Sequence, residues 1–164
     1  MGCADGSPEI FLQPGDLYFG KAGTRIRTVL GSCVSITVWQ PRLRVGGMCH
    51  YMLPHRGTKA AGPLDGRYGD EAVALLLRDL ATVGVSPRDC EAKLFGGGNM
   101  FPKALAGRDT MNVAARNIRA GRELTDRHGF HRVAEHVGGV GHRTLIFDIA
   151  TGNAWLKHHI RPPV

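Results

Sequence analysis

The chain has 164 residues, a length that suits one domain and buries about 70% of the surface its unfolded form exposes. Its hydrophobic share of 43% is that of a globular protein, and no run approaches the ~18 apolar residues of a membrane span. The 21 Lys and Arg outnumber 14 Asp and Glu for a net charge of +7, but they are dispersed, mostly as single arginines, and aromatics are only 7%. With no nucleic-acid motif present, this charge reads as a solvated surface suited to an acidic protein partner, not to nucleic acid.

Residues 1–8 are small and polar and read as a flexible tail, leaving a single domain over 9–164. Met1-Gly2-Cys3 approaches an N-myristoylation signal, but Gly6 stands where Ser or Thr is required. Gly15 to Ala22 fits the first half of a phosphate-binding loop. Ala22 replaces the magnesium-holding hydroxyl, and Leu17, Tyr18 and Phe19 are too apolar for a phosphate cradle, so a short strand or turn is the better reading. Arg25 to Leu30 and Val34 to Trp39 alternate with period two and are rich in β-branched residues, which predicts two strands. Leu30-Gly31-Ser32-Cys33 superficially matches a lipoprotein cleavage site, but Lys21, Arg25 and Arg27 occupy the segment that a signal peptide keeps apolar. The expected address is cytoplasmic.

Gln40-Pro41 ends the second strand, and Val45 to Leu53 forms a third. His55 to Tyr68 carries Gly57, Gly62, Pro63 and Gly66, a loop long enough to have a function. Asp70 to Val83 is the clearest helix: its apolar residues form one broad face, and Gly84 supplies the stop. Glu91 to Phe95 is a strand running into a glycine triplet. Asn112 to Arg127 is a second helix, with Arg116, Arg119, Arg122 and Glu123 on its polar side. Arg132 to Val137, Arg143 to Ile149 and Asn153 to His158 complete the strands. Many strands with two long helices predict an α/β domain, a layered sandwich of mixed β-sheets and helices.

The candidate chemistry centres on Cys33, set in the Gly31-Ser32 turn between two strands, with His50 lying 17 residues downstream. A thiol attacks a carbonyl carbon as thiolate, and at its free pKa of ~8.5 little is ionised near neutrality. A nearby imidazole supplies the missing ionisation and later the proton that an amine leaving group needs. Such a Cys/His pair is the minimal machinery for cleaving an amide. The four cysteines (Cys3, Cys33, Cys49 and Cys90) are scattered singly, which indicates neither a disulfide framework nor a zinc knuckle. A reducing compartment suits a catalytic thiol, which oxidation would destroy. Cys49 and His50 are adjacent on a strand and point to opposite faces, so they do not share an ion, and Cys33 is left as the nucleophile. His158-His159 has the same geometry, and neither metal nor cofactor is expected.

Several separated segments carry a resemblance: Leu30-Gly31-Ser32-Cys33-Val34, Cys49-His50-Tyr51-Met52-Leu53-Pro54, Ala92 to Phe101, Ala115-Arg116-Asn117-Ile118, Gly138 to Arg143 and Thr151-Gly152. In this order the chain resembles the CheD family of chemoreceptor glutamine deamidases. The resemblance implies a sandwich of sheets and helices similar to other Cys-His amide hydrolases. It implies Cys33 as nucleophile, His50 as acid and base, and a threonine before the nucleophile that orients the imidazole. Thr28 is the match, with Arg27 the alternative if the register shifts by one. Gly31 and Ser32, with the Cys33 N–H, are the expected oxyanion support. Gly96, Gly97, Gly98 and Asn99 are candidates for a loop that approaches the site closely or lies against substrate. The implied partners are chemoreceptor cytoplasmic helices and a CheC-type phosphatase. The alternative is a docking module for either partner without catalysis.

Overall fold

The computed structural model describes residues 6–57, 62–101 and 112–160. Met1-Gly2-Cys3 and most of the expected N-terminal tail lie outside these residues, as do residues 58–61 of the long loop and the last four of the domain. Within them the strands are β1 (Glu9–Phe11), β2 (Leu17–Lys21), β3 (Arg25–Leu30), β4 (Val34–Gln40), β5 (Val45–Cys49), β6 (Glu91–Gly96), β7 (His131–Val137), β8 (His142–Asp148) and β9 (Ala154–His159). The helices are α1 (Gly69–Thr82) and α2 (Val113–Arg127), and a short 3₁₀ turn, Pro87–Asp89, precedes β6.

The strands form two sheets, one in the order β1-β3-β8-β9 and the other β2-β5-β4-β6-β7. β1 with β3 and β6 with β7 are parallel, and the remaining pairs are antiparallel. One apolar cluster, including Ile26, Leu30, Met48, Phe95, Leu145 and Phe147, fills the space between the sheets. A second, including Val34, Ile36, Tyr51, Leu76, Leu94 and Ile118, joins the five-stranded sheet to the helices. The order of layers is therefore sheet, sheet, helix pair, the α/β sandwich expected from the sequence.

β4 is covered on both faces. Its odd and even residues go to different layers, as the period of a strand requires. Val34, Ile36 and Val38 pack toward the helices. Ser35 and Thr37, the polar half of the alternation, do not face solvent; both are buried on the face turned toward the other sheet. Polar groups thus enter the space between the sheets near Cys33.

The helices dock through narrow apolar faces. α1 buries Ala72, Val73, Leu76 and Leu80, and Gly84, at φ +70°, closes its C-terminus in a left-handed conformation that disfavours other residues. Its first turn anchors the long loop. The Glu71 carboxylate accepts from Arg56 Nε at 2.9 Å and Nη2 at 2.6 Å, and from the Asp65 N–H at 3.1 Å. Asn112 is the N-cap of α2, its Oδ1 accepting from the Ala115 N–H at 2.8 Å. The buried face of α2 is Ala114, Asn117, Ile118, Gly121, Leu124 and Thr125.

Two features differ from the sequence reading. β1 pairs through only three residues, too short for a periodic pattern. The third strand ends at Cys49, not Leu53: His50 leaves the ladder to bond the turn before β2, its N–H donating to Asp16 O at 3.1 Å and its O accepting from the Gly15 N–H at 2.8 Å. The chain then pairs again as an isolated bridge, Val34 with Tyr51.

Candidate active site

The register of β4 and β5 brings Cys33 and His50 to one face. Thr37 lies opposite Met48, and Val34 lies opposite Tyr51. The same register sets Ser35 opposite His50 and Cys33 opposite Met52. Directly opposed residues share a face, and so do residues two apart on one strand. Cys33, Ser35 and His50 therefore point together into the space between the sheets, where Cys33 packs against the inter-sheet cluster. Cys49 lies in the other cluster, beneath the helices. Cys33 is partly exposed, whereas Cys49 and Cys90 are buried, and burial pushes their thiols up to about 12 and about 11.

The third member comes from the opposing sheet. Thr28, on β3, is fully buried, and its Oγ1 lies 2.7 Å from His50 Nδ1 and 2.8 Å from Leu12 O. A carbonyl can only accept, and a hydroxyl has one hydrogen, so that hydrogen goes to Leu12. Nδ1 must then carry a hydrogen and donate to Oγ1. The neutral imidazole is held with its lone pair on Nε2, which is buried and has no hydrogen-bond partner among the described residues. A buried unpaired acceptor is costly in a structural core and is what a general base needs before substrate arrives. Arg27 points the other way, its guanidinium 3.7 Å from Glu9 at the surface.

Burial decides the charge state of the pair. It pushes the Cys33 thiol above its ordinary value, and it pulls His50 down to about 4, with the Asp16 carboxylate opposing the shift. Both effects favour the neutral partners. The sequence suggests an imidazole that ionises the thiol at rest. Burial instead favours a neutral thiol and a neutral base, because the sheets exclude water that would stabilise an ion pair.

The glycine triplet is a strap under the Cys33 turn. Gly97 N–H donates to Cys33 O at 2.9 Å, and Gly98 N–H donates to Gly31 O at 2.9 Å. Gly96, Gly97 and Gly98 are buried, and a Cβ on Gly96, at φ +111°, would overlap the Cys33 carbonyl oxygen. Behind the strap lies the buried Arg143, donating to Gly138 O at 2.6 Å, His136 Nδ1 at 2.9 Å and Gly96 O at 3.2 Å. Asn99 is less buried and caps the following turn, its Oδ1 accepting from the Phe101 N–H. At the Cys33 turn two apolar side chains are exposed: Met52, opposite Cys33 in the register, and Met100, which lies against Gly31.

Asn117 and Ser35 were not singled out as site residues. Asn117 occupies the buried stripe of α2 and donates from Nδ2 to Ser32 O at 3.1 Å and Met52 O at 2.9 Å. The signal was present: an amide in an otherwise apolar helical face needs a specific partner. Ser35, buried opposite His50 with an unpartnered Oγ, reads from sequence as the ordinary polar half of a strand.

A thiol, a tautomer-locked imidazole and an orienting hydroxyl between two sheets define an α/β protein equipped for Cys-His amide chemistry. Residues 52–158 match the family model for CheD chemotactic sensory transduction, and the chain belongs to the CheD family. A Pseudomonas syringae pv. tomato protein named "Probable chemoreceptor glutamine deamidase CheD" is 48% identical over 93% of this chain and 90% of its own length. A Pseudomonas fluorescens protein of the same name is 49% identical over 93% of this chain and 86% of its own. A Leptospira interrogans protein named "Probable chemoreceptor glutamine deamidase CheD 1" is 36% identical over 91% and 92%. Among solved structures, a Neisseria meningitidis protein of the DUF152 family model superimposes with a TM-score of 0.52 at 13% identity, covering 82% of this chain and 65% of that one. At that identity the likeness speaks for the fold alone.

Proposed function

We propose that this chain is a chemoreceptor glutamine deamidase, hydrolysing glutamine side chains of receptor cytoplasmic helices to glutamate and ammonia. The observation that carries the reading is the Thr28–His50 bond, which leaves Nε2 as a free base on the face shared with Cys33.

The reaction follows from that arrangement. His50 Nε2 takes the Sγ proton as sulfur bonds to the carboxamide carbon, and the carbonyl electron pair moves onto oxygen. The Cys33 N–H, beside Ser32, donates to this oxyanion. As the oxyanion collapses, the C–N bond breaks and Nε2–H passes its proton to the leaving nitrogen, releasing ammonia. Water, deprotonated by the same Nε2, then attacks the thioester carbon. The C–S bond breaks, the thiol regains its proton, and glutamate remains. Because only this route requires a neutral starting pair, desolvation of Cys33 and His50 suits it.

The exposed side chains of Met52, opposite Cys33, and Met100, against Gly31, suit a protein substrate, since exposed apolar side chains beside a reactive group favour macromolecular docking. Family membership makes a CheC-type phosphatase the second partner in this proposal, and a cytoplasmic location goes with both. No described helix is long and apolar enough to cross a membrane. The test is incubation with a receptor cytoplasmic fragment and intact-mass measurement. Each converted glutamine adds about 1 Da in ordinary water and about 3 Da in ¹⁸O water, because hydrolysis of the acyl-enzyme takes its oxygen from solvent. A fragment of unchanged mass, with ammonia undetected, would overturn the proposal.

A further inference from the structure

We infer that Asn117 is a positioning residue that aims the oxyanion donor, the Cys33 N–H, by holding the other end of its peptide group. The inference rests on the reading of Cys33 as nucleophile and extends it to a residue on a different layer of the fold.

The Ser32 carbonyl and the Cys33 N–H belong to one planar trans peptide and point in opposite directions. Asn117 Nδ2 takes the Ser32 oxygen at 3.1 Å, and its second hydrogen goes to Met52 O at 2.9 Å. Two carbonyl acceptors identify that atom as nitrogen and leave both its hydrogens used. With Ser32 O drawn toward α2, the Cys33 N–H is turned away from the helices. That is the side on which Cys33 packs between the sheets and onto which His50 projects.

The neighbouring groups are already committed. Cys33 O accepts from Gly97 N–H at 2.9 Å, and the Val34 N–H donates to Tyr51 O at 3.1 Å. The Cys33 N–H itself finds no acceptor among the described residues. It is a preset donor waiting for an acceptor, the state an oxyanion hole requires. The same amide also ties the segment after His50 to the turn before Cys33, so one side chain sets the spacing of both halves of the site. Its remaining atom, Oδ1, is buried with no hydrogen-bond partner among the described residues. An asparagine kept for helix packing alone has no reason to accept that cost.

The experiment compares wild type, Asn117→Ala and the similarly shaped Asn117→Leu on a receptor cytoplasmic fragment. Leu keeps the branched shape but cannot donate to either carbonyl. Alkylation of Cys33 by iodoacetamide, read from the mass of its peptide, is measured in parallel; it is displacement at a saturated carbon and forms no oxyanion. Removing an oxyanion donor costs about 10²–10³ in kcat, and misaiming one forfeits part of this, so we expect a fall of roughly ten- to a hundredfold. KM and the alkylation rate should stay within about twofold, since neither depends on the charge developed in the transition state. Tyr51→Phe is the control: its hydroxyl donates to the Asn117 main-chain oxygen at 2.6 Å, so its loss loosens the same turn of α2 without touching the amide, and kcat should hold.

Unchanged kcat in either folded Asn117 variant would overturn the inference. So would equal losses in kcat and alkylation, which would make Asn117 a support for the thiol instead of the N–H. Should Asn117→Ala not fold, Asn117→Leu decides alone. A Cys33→Ala protein of full activity would sink the underlying site reading; an inactive Cys33→Ala beside a fully active Asn117 variant would sink only the positioning role.

Discussion

Replacing Thr28 by valine tests the tautomer lock. Valine has the same branched shape, so β3 and its packing persist while two buried hydrogen bonds disappear, one to Leu12 O at 2.8 Å and one from His50 Nδ1 at 2.7 Å. The abandoned Leu12 carbonyl and Nδ1–H each cost about 1–3 kcal/mol if they stay dry, so stability should fall by roughly 2 kcal/mol or more. The catalytic cost is separate. The Nδ1–H bond contributes about 1–1.5 kcal/mol to holding the base on Nε2, and 1.4 kcal/mol is tenfold in a population. Turnover should therefore fall about tenfold or more at unchanged KM, measured as initial rates of ammonia release from a receptor fragment. Thr28→Ser restores the hydroxyl and should recover most of the loss. Arg27→Ala should leave kcat within about twofold, because Arg27 faces Glu9 and not the imidazole. A folded Thr28→Val enzyme with wild-type kcat would remove Thr28 from the catalytic apparatus and leave Cys33 and His50 as a dyad.

Two further predictions follow from burial of the dyad. His50 titrates near 4 in the folded protein against 6.5 ordinarily, so the unfolded chain binds more protons between those values. The stability due to neutral His50 is complete above pH 6.5 and lost as pH falls toward 4, a change of up to about 3 kcal/mol. Urea denaturation should show wild type losing this stability relative to His50→Asn across that window; a constant difference would contradict the burial argument. Alkylation of Cys33 should rise through and beyond pH 9, since burial raises the thiol, with Cys49 and Cys90 unreactive in the folded protein; a plateau of high reactivity near neutrality would show a resting ion pair.

Much of the fold was legible because its long elements repeat. The buried face of α1 and the alternation in β3 and β4 follow directly from period. β1 escapes because three residues carry no period, and its parallel pairing with β3 depends on partners far along the chain. Within the site, Cys33 and His50 can be found because alternation separates His50 from Cys49. Whether Thr28 or Arg27 faces the imidazole depends on how one sheet packs over the other, which a single strand does not encode. Asn117 lies hidden for the same reason: its partners, Ser32 O and Met52 O, are main-chain atoms with no signature of their own. The neutral state of the pair is also a property of the assembled layers. Isolated from the two sheets, the same thiol and imidazole would sit in water and titrate ordinarily.

The most direct test of the account is Cys33→Ala, assayed by intact mass of a receptor cytoplasmic fragment beside wild type. The substitution trims one partly exposed side chain at the start of β4, so circular dichroism and receptor binding should match wild type. The account predicts wild type adding about 1 Da per converted glutamine through its acyl-enzyme, and Cys33→Ala adding nothing. A folded Cys33→Ala protein that still converts glutamine to glutamate at the wild-type rate would show that the nucleophile is not Cys33.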